Sequence, residues 1–269
     1  MNSNHPIGIF DSGVGGLSVL QRIRADLPHE TLLYVADSGH APYGDKSATF
    51  ITQRAAAITQ FLLEQGAKAI VVACNTATAA AIANLRRQFS IPIIGIEPAV
   101  KPAIAMTRSG VIGILATGQT VYSAKFADLI NRHRQQTQVL AQPCPGLADC
   151  VEHGDLNGPR PTALLNRYLQ PLISQKADIL VLGCTHYPFL KPLIERLVGP
   201  EIIIIDPSAA VSRQLHRRLD ELRLLANSKA PGGEHYFTSG CTEYTARVIS
   251  RLLDRTVTLE PLPLTSPLH

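Results

Sequence analysis

The sequence predicts an α/β protein with two similar, doubly wound parallel-sheet domains that are related by an internal repeat and share an active site in the cleft between them. Two observations predict this fold. Short, branched apolar runs alternate with helical stretches along the chain of 269 residues, which is typical of a parallel sheet covered by helices on both faces. The segment 67–76 is nearly repeated at 177–186, and 8–13 matches 113–118 in the same register.

The apolar periodicity and the turn residues predict the same order of elements in each half. In the first half we expect strands near 6–10, 31–36, 68–73 and 92–96, and helices near 17–27, 47–65 and 76–89. In the second half we expect strands near 110–115, 137–141, 178–182 and 201–205, and helices near 119–133, 160–175 and 188–198. A helix from 207 to about 226, a strand at 235–238 and a further helix should follow.

Each half closes on an acidic residue followed by proline, at Glu97-Pro98 and at Asp206-Pro207. Because proline suits the first turn of a helix, these pairs are natural crossover points between domains. We therefore expect a first domain from residue 1 to 97 and a second from 98 to 206. On periodicity alone, the segment 207–269 could either complete the first domain or form a surface for a dimer.

Composition excludes several classes of protein. Hydrophobic residues make up 45% of the chain and charged residues 17%, and no apolar run approaches the ~18 residues that a membrane span needs. Residues 1–6 lack the basic and apolar regions of a secretory signal, so we expect a soluble, cytoplasmic protein without a membrane partner. The net charge of +4 comes from scattered residues, so nucleic acid is not expected as the primary partner.

The cysteines are the main candidates for chemistry, and they are Cys74, Cys144, Cys150, Cys184 and Cys241. Without any Cys-x-x-Cys spacing, neither a disulfide framework nor a metal site is expected. Cys74 and Cys184 close the two matched apolar runs, and the carboxyl ends of parallel strands are where open sheets bind ligands. Two equivalent thiols on opposite sides of a substrate predict inversion of a carbon centre. The other three cysteines are expected to be structural.

The residues after each of these two cysteines predict an activated thiol. Alanine-rich residues 77–83 form helices readily, so Cys74 should lie at a helix N-terminus, which would lower its pKa. Cys184 precedes Pro188, which could open a helix in the same way. Alternatively, either cysteine could serve only as a small, buried apolar residue. That interpretation accounts less well for two cysteines at matched positions of the repeat.

Two further residues of the second half could assist Cys184. His186 could exchange a proton with the thiol, hold it in place or bind a substrate carboxylate, or it could only cap a helix. Glu152 precedes His153 in a short helical stretch and could act as an acid–base partner of Cys184. A solvated Glu-His pair is an equally good interpretation of that segment.

The loops after the first two strands could bind a ligand. Asp11 could orient Cys74 or hold an ammonium group, or it could cap the glycine-rich turn that follows; its counterpart in the second half is Ala116. The turn 11–17 fails the dinucleotide pattern, because Ser18 replaces its last glycine, but its amides could bind a carboxylate or a phosphate. The loop 37–46 is rich in turn residues and could close over a ligand.

Four motifs occur together in this chain: Asp-Ser-Gly-x-Gly-Gly at 11–16, Pro-Tyr-Gly at 42–44, Ala-Cys-Asn-Thr at 73–76 and Gly-Cys-Thr-His-Tyr-Pro at 183–188. In this order and spacing they resemble the glutamate racemases of the cofactor-independent aspartate/glutamate racemase superfamily, over essentially the whole chain. The resemblance implies two α/β domains, with 207–269 packing back on the first. It also implies racemisation of glutamate without a cofactor, to supply D-glutamate for peptidoglycan in a bacterial cytoplasm.

The resemblance also implies roles for individual residues. Cys74 and Cys184 would be the two acid/base residues, supported by Asp11, Glu152 and His186. The glutamate pocket would be lined by Asp11, Ser12, Pro42, Tyr43, Gly44, Asn75, Thr76, Thr185 and His186. The partner would be a small molecule, and a homodimer is a possible assembly.

The chemistry agrees with this interpretation, because inversion at Cα removes a weakly acidic proton from one face and adds a proton to the other. Three alternatives stay open. A relative could act on aspartate, hydantoins or maleate instead. A non-catalytic two-domain binding protein would have the same architecture but no need of paired cysteines. A cysteine hydrolase could use Cys184 with His186, but it would leave Cys74 unexplained.

Overall fold

The computed structural model describes residues 2–134 and 136–263. The strands are β1 (Ile7–Asp11), β2 (Leu32–Ala36), β3 (Ala69–Val72), β4 (Ile93–Gly95), β5 (Val111–Ala116), β6 (Gln138–Pro143), β7 (Ile179–Leu182), β8 (Ile203–Ile205), β9 (Glu234–Thr238) and β10 (Glu260–Pro261). The helices are α1 (Leu17–Asp26), α2 (Ala48–Glu64), α3 (Asn75–Gln88), α4 (Val100–Met106), α5 (Gly118–Val121), α6 (Ala124–His133), α7 (Leu147–Glu152), α8 (Pro159–Ser174), α9 (Lys191–Val198), α10 (Ser208–Glu221) and α11 (Thr242–Leu253).

These strands form two sheets, and their pairings are parallel, so the predicted fold class is confirmed. In the described residues the first sheet has the order β10-β9-β2-β1-β3-β4, and the second has the order β6-β5-β7-β8. The buried strands are rich in Ile, Val and Leu because helices cover both faces of each sheet. No helix in the described part of the chain is long and apolar enough to span a bilayer.

The internal repeat is visible as one register in both sheets. Phe10 of β1 pairs with Val72 of β3, and Leu115 of β5 pairs with Leu182 of β7. Cys74 and Cys184 therefore each lie two residues beyond equivalent pairs, at the carboxyl edges of their sheets.

The predicted helix 119–133 is wrong as a single element, because two helices, α5 and α6, occupy it. The side chain of Ser123 accepts a hydrogen bond from the amide of Phe126 and caps a new helix there. The predicted helix to about 226 ends early, at Glu221, and Arg223 then adopts a φ of 53°. Helix α4 and the short strand β10 were not predicted.

The segment after residue 207 contributes to the first sheet. Strand β9 pairs with β2, for example through Tyr236 and Tyr34, and β10 pairs with β9. Helix α10 lies against α1. The predicted domain limits, 1–97 with 207–269 and 98–206, stay a prediction, and residues 264–269 lie outside the described chain.

A buried ion pair connects this segment to the start of two strands. Lys68, immediately before β3, has no exposed side-chain surface, and its Nζ donates to Oε2 of Glu30 at 2.5 Å. The other oxygen of Glu30 accepts the amide of Ala226 at 2.9 Å. A buried carboxylate needs such partners, because both its charge and its lone pairs have left water.

Replacing Lys68 by methionine should therefore lower the free energy of unfolding by about 3 kcal/mol, because Glu30 would keep its burial but lose its cation. Urea denaturation measures this change. The matched control is Arg22→Met, which removes the cation of the exposed Arg22–Asp26 pair and should cost no more than about 0.5 kcal/mol. Equal, small effects of both substitutions would contradict the role given to Lys68.

Candidate active site

Cys74 lies at the N-terminus of α3, where its position was predicted. It is the capping residue of this helix, and its Sγ accepts a hydrogen bond from the amide of Ala77 at 3.4 Å. Its thiol lies 3.8 Å from Oγ of Ser12, to which it can donate. Only 5% of the residue is exposed, so the first sheet buries this thiol between the end of β1 and the start of α3.

The expected lowering of the Cys74 pKa is wrong. Burial raises the pKa of the thiol to about 12, and the nearby Asp11 adds to this effect. The hydrogen bond from Ala77 acts in the opposite direction but is the weaker influence. One amide and a helix end cannot compensate for removing a thiolate from water, so Cys74 rests as the thiol.

Cys184 occupies the equivalent position after β7, but its surroundings differ. A 3₁₀ turn, Tyr187–Leu190, follows it, and α9 begins only at Lys191. Pro188 does lie in the first turn of a helix after Cys184, but this helix is a 3₁₀ turn, and the α-helix predicted over 188–198 begins only at Lys191. Pro192 explains the difference, because it has no N–H to donate to the carbonyl of Pro188 in an α-helical pattern.

Instead of a helix end, Cys184 has a histidine beside it. Its Sγ lies 3.5 Å from Nδ1 of His186, and the ring's Nε2 lies 2.6 Å from Oε1 of Glu152 on α7. Burial lowers the pKa of His186, but Cys184 and Glu152 raise it more, so the net pKa lies well above the usual histidine value. The three side chains form a continuous path along which a proton can move between the thiol and the carboxylate.

The glycine-rich loop after β1 makes room for this path. The same oxygen of Glu152 accepts the amide of Val14 at 2.8 Å. A Cβ atom at Gly15 would lie 2.4 Å from Nδ1 of His186, and one at Gly13 would lie 1.9 Å from Oε1 of Glu152. Only glycine at these two positions lets side chains of the second half approach the backbone of the first so closely.

Asp11 joins the two halves at the same place. Its Oδ1 accepts the amide of Gly13 at 2.9 Å and the hydroxyl of Ser12 at 3.3 Å, while its Oδ2 accepts the hydroxyl of Thr185 at 2.8 Å. Burial raises the pKa of Asp11 above its ordinary value, although His186 lowers it in part. Asp11 thus reaches Cys74 through Ser12 and reaches the segment after Cys184 through Thr185.

Asn75 and Thr76, the residues after Cys74, present polar groups at the start of α3. Only 4% of Asn75 is exposed, yet neither its Oδ1 nor its Nδ2 has a hydrogen-bond partner among the described residues. Buried amide groups in proteins are nearly always hydrogen-bonded. The side-chain amide of Asn75 is therefore an unsatisfied polar group at the start of α3.

Sequence reasoning missed two threonines from the second half. Oγ1 of Thr76 lies 2.9 Å from Oγ1 of Thr117 and 3.3 Å from Oγ1 of Thr120. Thr117 follows β5 directly, just as Ser12 follows β1. The internal repeat aligns position 117 with position 12. Thr117 could therefore have been identified from the sequence as the counterpart of Ser12.

The loop with Pro42, Tyr43 and Gly44 lies against these threonines. A Cβ atom at Gly44 would be 3.3 Å from Cβ of Thr117. Tyr43 is buried, and its hydroxyl donates to Oδ2 of Asp37 at 2.5 Å. The loop thus lies beside the contact between Thr76 and the start of α5.

Comparison with known proteins agrees with this geometry. A family model described as Asp/Glu/Hydantoin racemase matches residues 16–215. The glutamate racemase of Methylococcus capsulatus is 54% identical over 261 residues, which are 97% of this chain and 96% of that protein.

Two solved structures share the fold over almost their whole length. The glutamate racemase of Escherichia coli, in complex with L-glutamate and the activator UDP-MurNAc-ala, has a TM-score of 0.86 and 32% identity, and the match covers 97% of this chain and 100% of that one. That of Francisella tularensis, in complex with D-glutamate, has a TM-score of 0.83 and 31% identity, with 97% and 98% covered.

The chain belongs to the Asp/Glu/hydantoin racemase family, so the resemblance predicted from its four motifs is confirmed. Within that family, the relatives named above are all glutamate racemases. The expected enzyme class, an amino-acid racemase, is confirmed with it.

The close approach of Gly15 to His186 generates a test. Gly15→Ala should lower racemase activity about 100-fold, because its Cβ would displace the imidazole from Cys184. Polarimetry with glutamate, the relatives' substrate, measures the rate. The matched control is Gly233→Ala, whose Cβ would meet nothing closer than Nε2 of His235 at 3.8 Å. Full activity in Gly15→Ala would show that the position of His186 is unimportant.

Proposed function

We propose that the protein interconverts L- and D-glutamate without a cofactor, by moving the Cα proton between Cys74 and Cys184. The observation that carries this proposal is the equivalent position of the two cysteines, each two residues beyond a matched strand pair of its own sheet. Substrate bound between the carboxyl edges of the two sheets would have one thiol on each face of its Cα. One cysteine enters the reaction as a thiolate and removes the proton, and the other donates a proton as a thiol.

The unequal surroundings of the two thiols support a division of roles in the free enzyme. Cys74 is held as the thiol by burial, which is the form that donates a proton. Beside Cys184, His186 can take up the thiol proton, and its charge is balanced by Glu152. We therefore assign the first base to Cys184 and the first acid to Cys74. After one turnover the roles are reversed, and His186 with Glu152 would help to reset them.

Removal of the Cα proton leaves negative charge on the substrate carboxylate, which hydrogen-bond donors have to stabilise. We propose that Asn75 and Thr76 supply such donors, because the buried side-chain amide of Asn75 has no hydrogen-bond partner among the described residues. The other groups proposed to bind glutamate are Asp11, Ser12, Pro42, Tyr43, Gly44, Thr117, Thr185 and His186.

Two of the comparisons favour glutamate over other amino acids. The similar racemase of Escherichia coli was solved with L-glutamate, and that of Francisella tularensis with D-glutamate. We also propose that the D-glutamate formed supplies peptidoglycan synthesis, as the resemblance implies. A cytoplasmic location and a homodimer stay predictions from the sequence.

Substitution of either cysteine tests the two-base proposal. Cys74→Ser and Cys184→Ser should each lower kcat for racemisation by about 1,000-fold or more, because a serine hydroxyl is a far weaker acid than a thiol. Circular dichroism measures the rate with both enantiomers of glutamate, and with aspartate in parallel.

The matched control for these variants is Cys150→Ser. Cys150 is also buried, and its Sγ donates to the carbonyl of Gly146 at 3.4 Å as its one side-chain hydrogen bond among the described residues, so serine should be tolerated. High activity in either active-site variant would refute the proposal. Greater activity with aspartate than with glutamate would overturn the substrate assignment.

The role of Glu152 has a signature in the pH dependence. In Glu152→Gln the carboxylate no longer raises the pKa of His186, so the ring should lose its proton at lower pH. The alkaline limb of kcat/KM should therefore move toward lower pH. Glu195→Gln is the control, since Glu195 is exposed in a pair with Lys191 and its loss should leave the profile unchanged. If the alkaline limb of kcat/KM does not move in Glu152→Gln, the role proposed for Glu152 is contradicted.

A further inference from the structure

The loop from Ser38 to Lys46 connects β2 to α2 and carries three of the residues proposed to bind glutamate. Two short 3₁₀ turns, Ser38–His40 and Tyr43–Asp45, are its regular structure. Because this loop faces α5 across Gly44 and Thr117, its position sets the width of the proposed pocket. Backbone hydrogen bonds such as those from His40 to Asp37 and from Lys46 to Tyr43 close the turns within the loop, and side-chain contacts tie the loop to β2 and α2.

The contacts converge on Asp37, the first residue after β2, whose side chain has no exposed surface. Its backbone amide donates to the carbonyl of Asp11 at 3.1 Å. Its Oδ2 accepts the hydroxyl of Tyr43 at 2.5 Å, and Oδ1 lies 3.1 Å from Nδ1 of His40. One buried carboxylate thus connects the end of the sheet to both 3₁₀ turns of the loop.

The charge of this carboxylate is balanced by Arg54 of α2. Nε of Arg54 donates to Oδ2 at 3.0 Å and Nη2 donates to Oδ1 at 2.5 Å, so the pair is bidentate. Burial alone would raise the pKa of Asp37, but hydrogen bonds from Arg54, Ser239 and Tyr43 lower it below the usual value. Burial and Asp37 also raise the pKa of Tyr43 well above its usual value, so the phenol stays a donor.

We propose that Arg54 is a positioning residue for the substrate loop: by fixing Asp37, it fixes Tyr43 and Gly44 at the edge of the pocket. The identity of the substrate in this inference rests on the proposed function. The contact between Arg54 and Asp37 does not. Arg54 touches neither cysteine through these bonds. Its loss should weaken substrate binding and leave proton transfer intact. A lysine can supply the positive charge but not the planar guanidinium group that donates two parallel hydrogen bonds to a carboxylate. Lysine at position 54 should therefore restore the function of Arg54 only in part.

The test compares Arg54→Gln and Arg54→Lys with Arg22→Gln, which makes the same change in an exposed Arg–Asp pair. Arg54→Gln should raise KM for both glutamate enantiomers about tenfold, with kcat within about twofold of the unmodified enzyme. Arg54→Lys should give an intermediate KM, and Arg22→Gln should change neither constant. Unchanged KM in Arg54→Gln, or a fall in kcat alone, would overturn the proposal.

Hydrogen–deuterium exchange read by mass spectrometry provides a readout that needs no activity. Amides of residues 38–46 should exchange faster in Arg54→Gln, while those of β1 and β3 keep their protection. If the unmodified enzyme does not racemise glutamate, the proposed function fails, but the exchange result still decides the role of Arg54. If Arg54→Gln does not fold, Arg54→Lys carries both measurements. Unaltered exchange in this loop contradicts the proposal.

Discussion

The active site depends on the contact between the glycine-rich loop after β1 and the segment that follows Cys184. Around this contact, three hydrogen bonds between described residues cross from one half of the molecule to the other. They run from the amide of Val14 to Glu152 on α7, from the hydroxyl of Thr185 to Asp11, and from the hydroxyl of Ser18 on α1 to the carbonyl of Thr185 at 3.0 Å. These hydrogen bonds fix the residues around Cys184 relative to the first sheet. In the proposed reaction, this contact is what lets the two thiols face one substrate.

The two thiols are chemically unequal. The register of the strands is nearly symmetric, but Asp11 stands opposite Ala116, and a histidine follows Cys184 where Cys74 has a helix start. A reaction that takes a proton from one face and returns one to the other needs an acid and a base at the same time. In the proposed two-base reaction, two cysteines at equivalent positions but in different environments would take these two roles.

Much of this site could be predicted from sequence because it depends on local patterns. The apolar runs before Cys74 and Cys184 determined where their strands end, and the repeat aligned them. The raised pKa of Cys74 could not be predicted, because it comes from burial by residues distant in sequence. Arg54 was missed for the same reason: a helical arginine has no sequence signal that links it to a carboxylate 17 residues earlier.

The two-base account is tested most directly by the origin of the proton that arrives at Cα. Pure enzyme would be incubated with L-glutamate in heavy water, and the first D-glutamate formed would be analysed by NMR and mass spectrometry. If separate cysteines remove and donate the proton, this product carries solvent deuterium at Cα, while the remaining L-glutamate still carries protium. D-glutamate that retains the original protium would mean that a single base moves the proton between faces, and it would contradict the account.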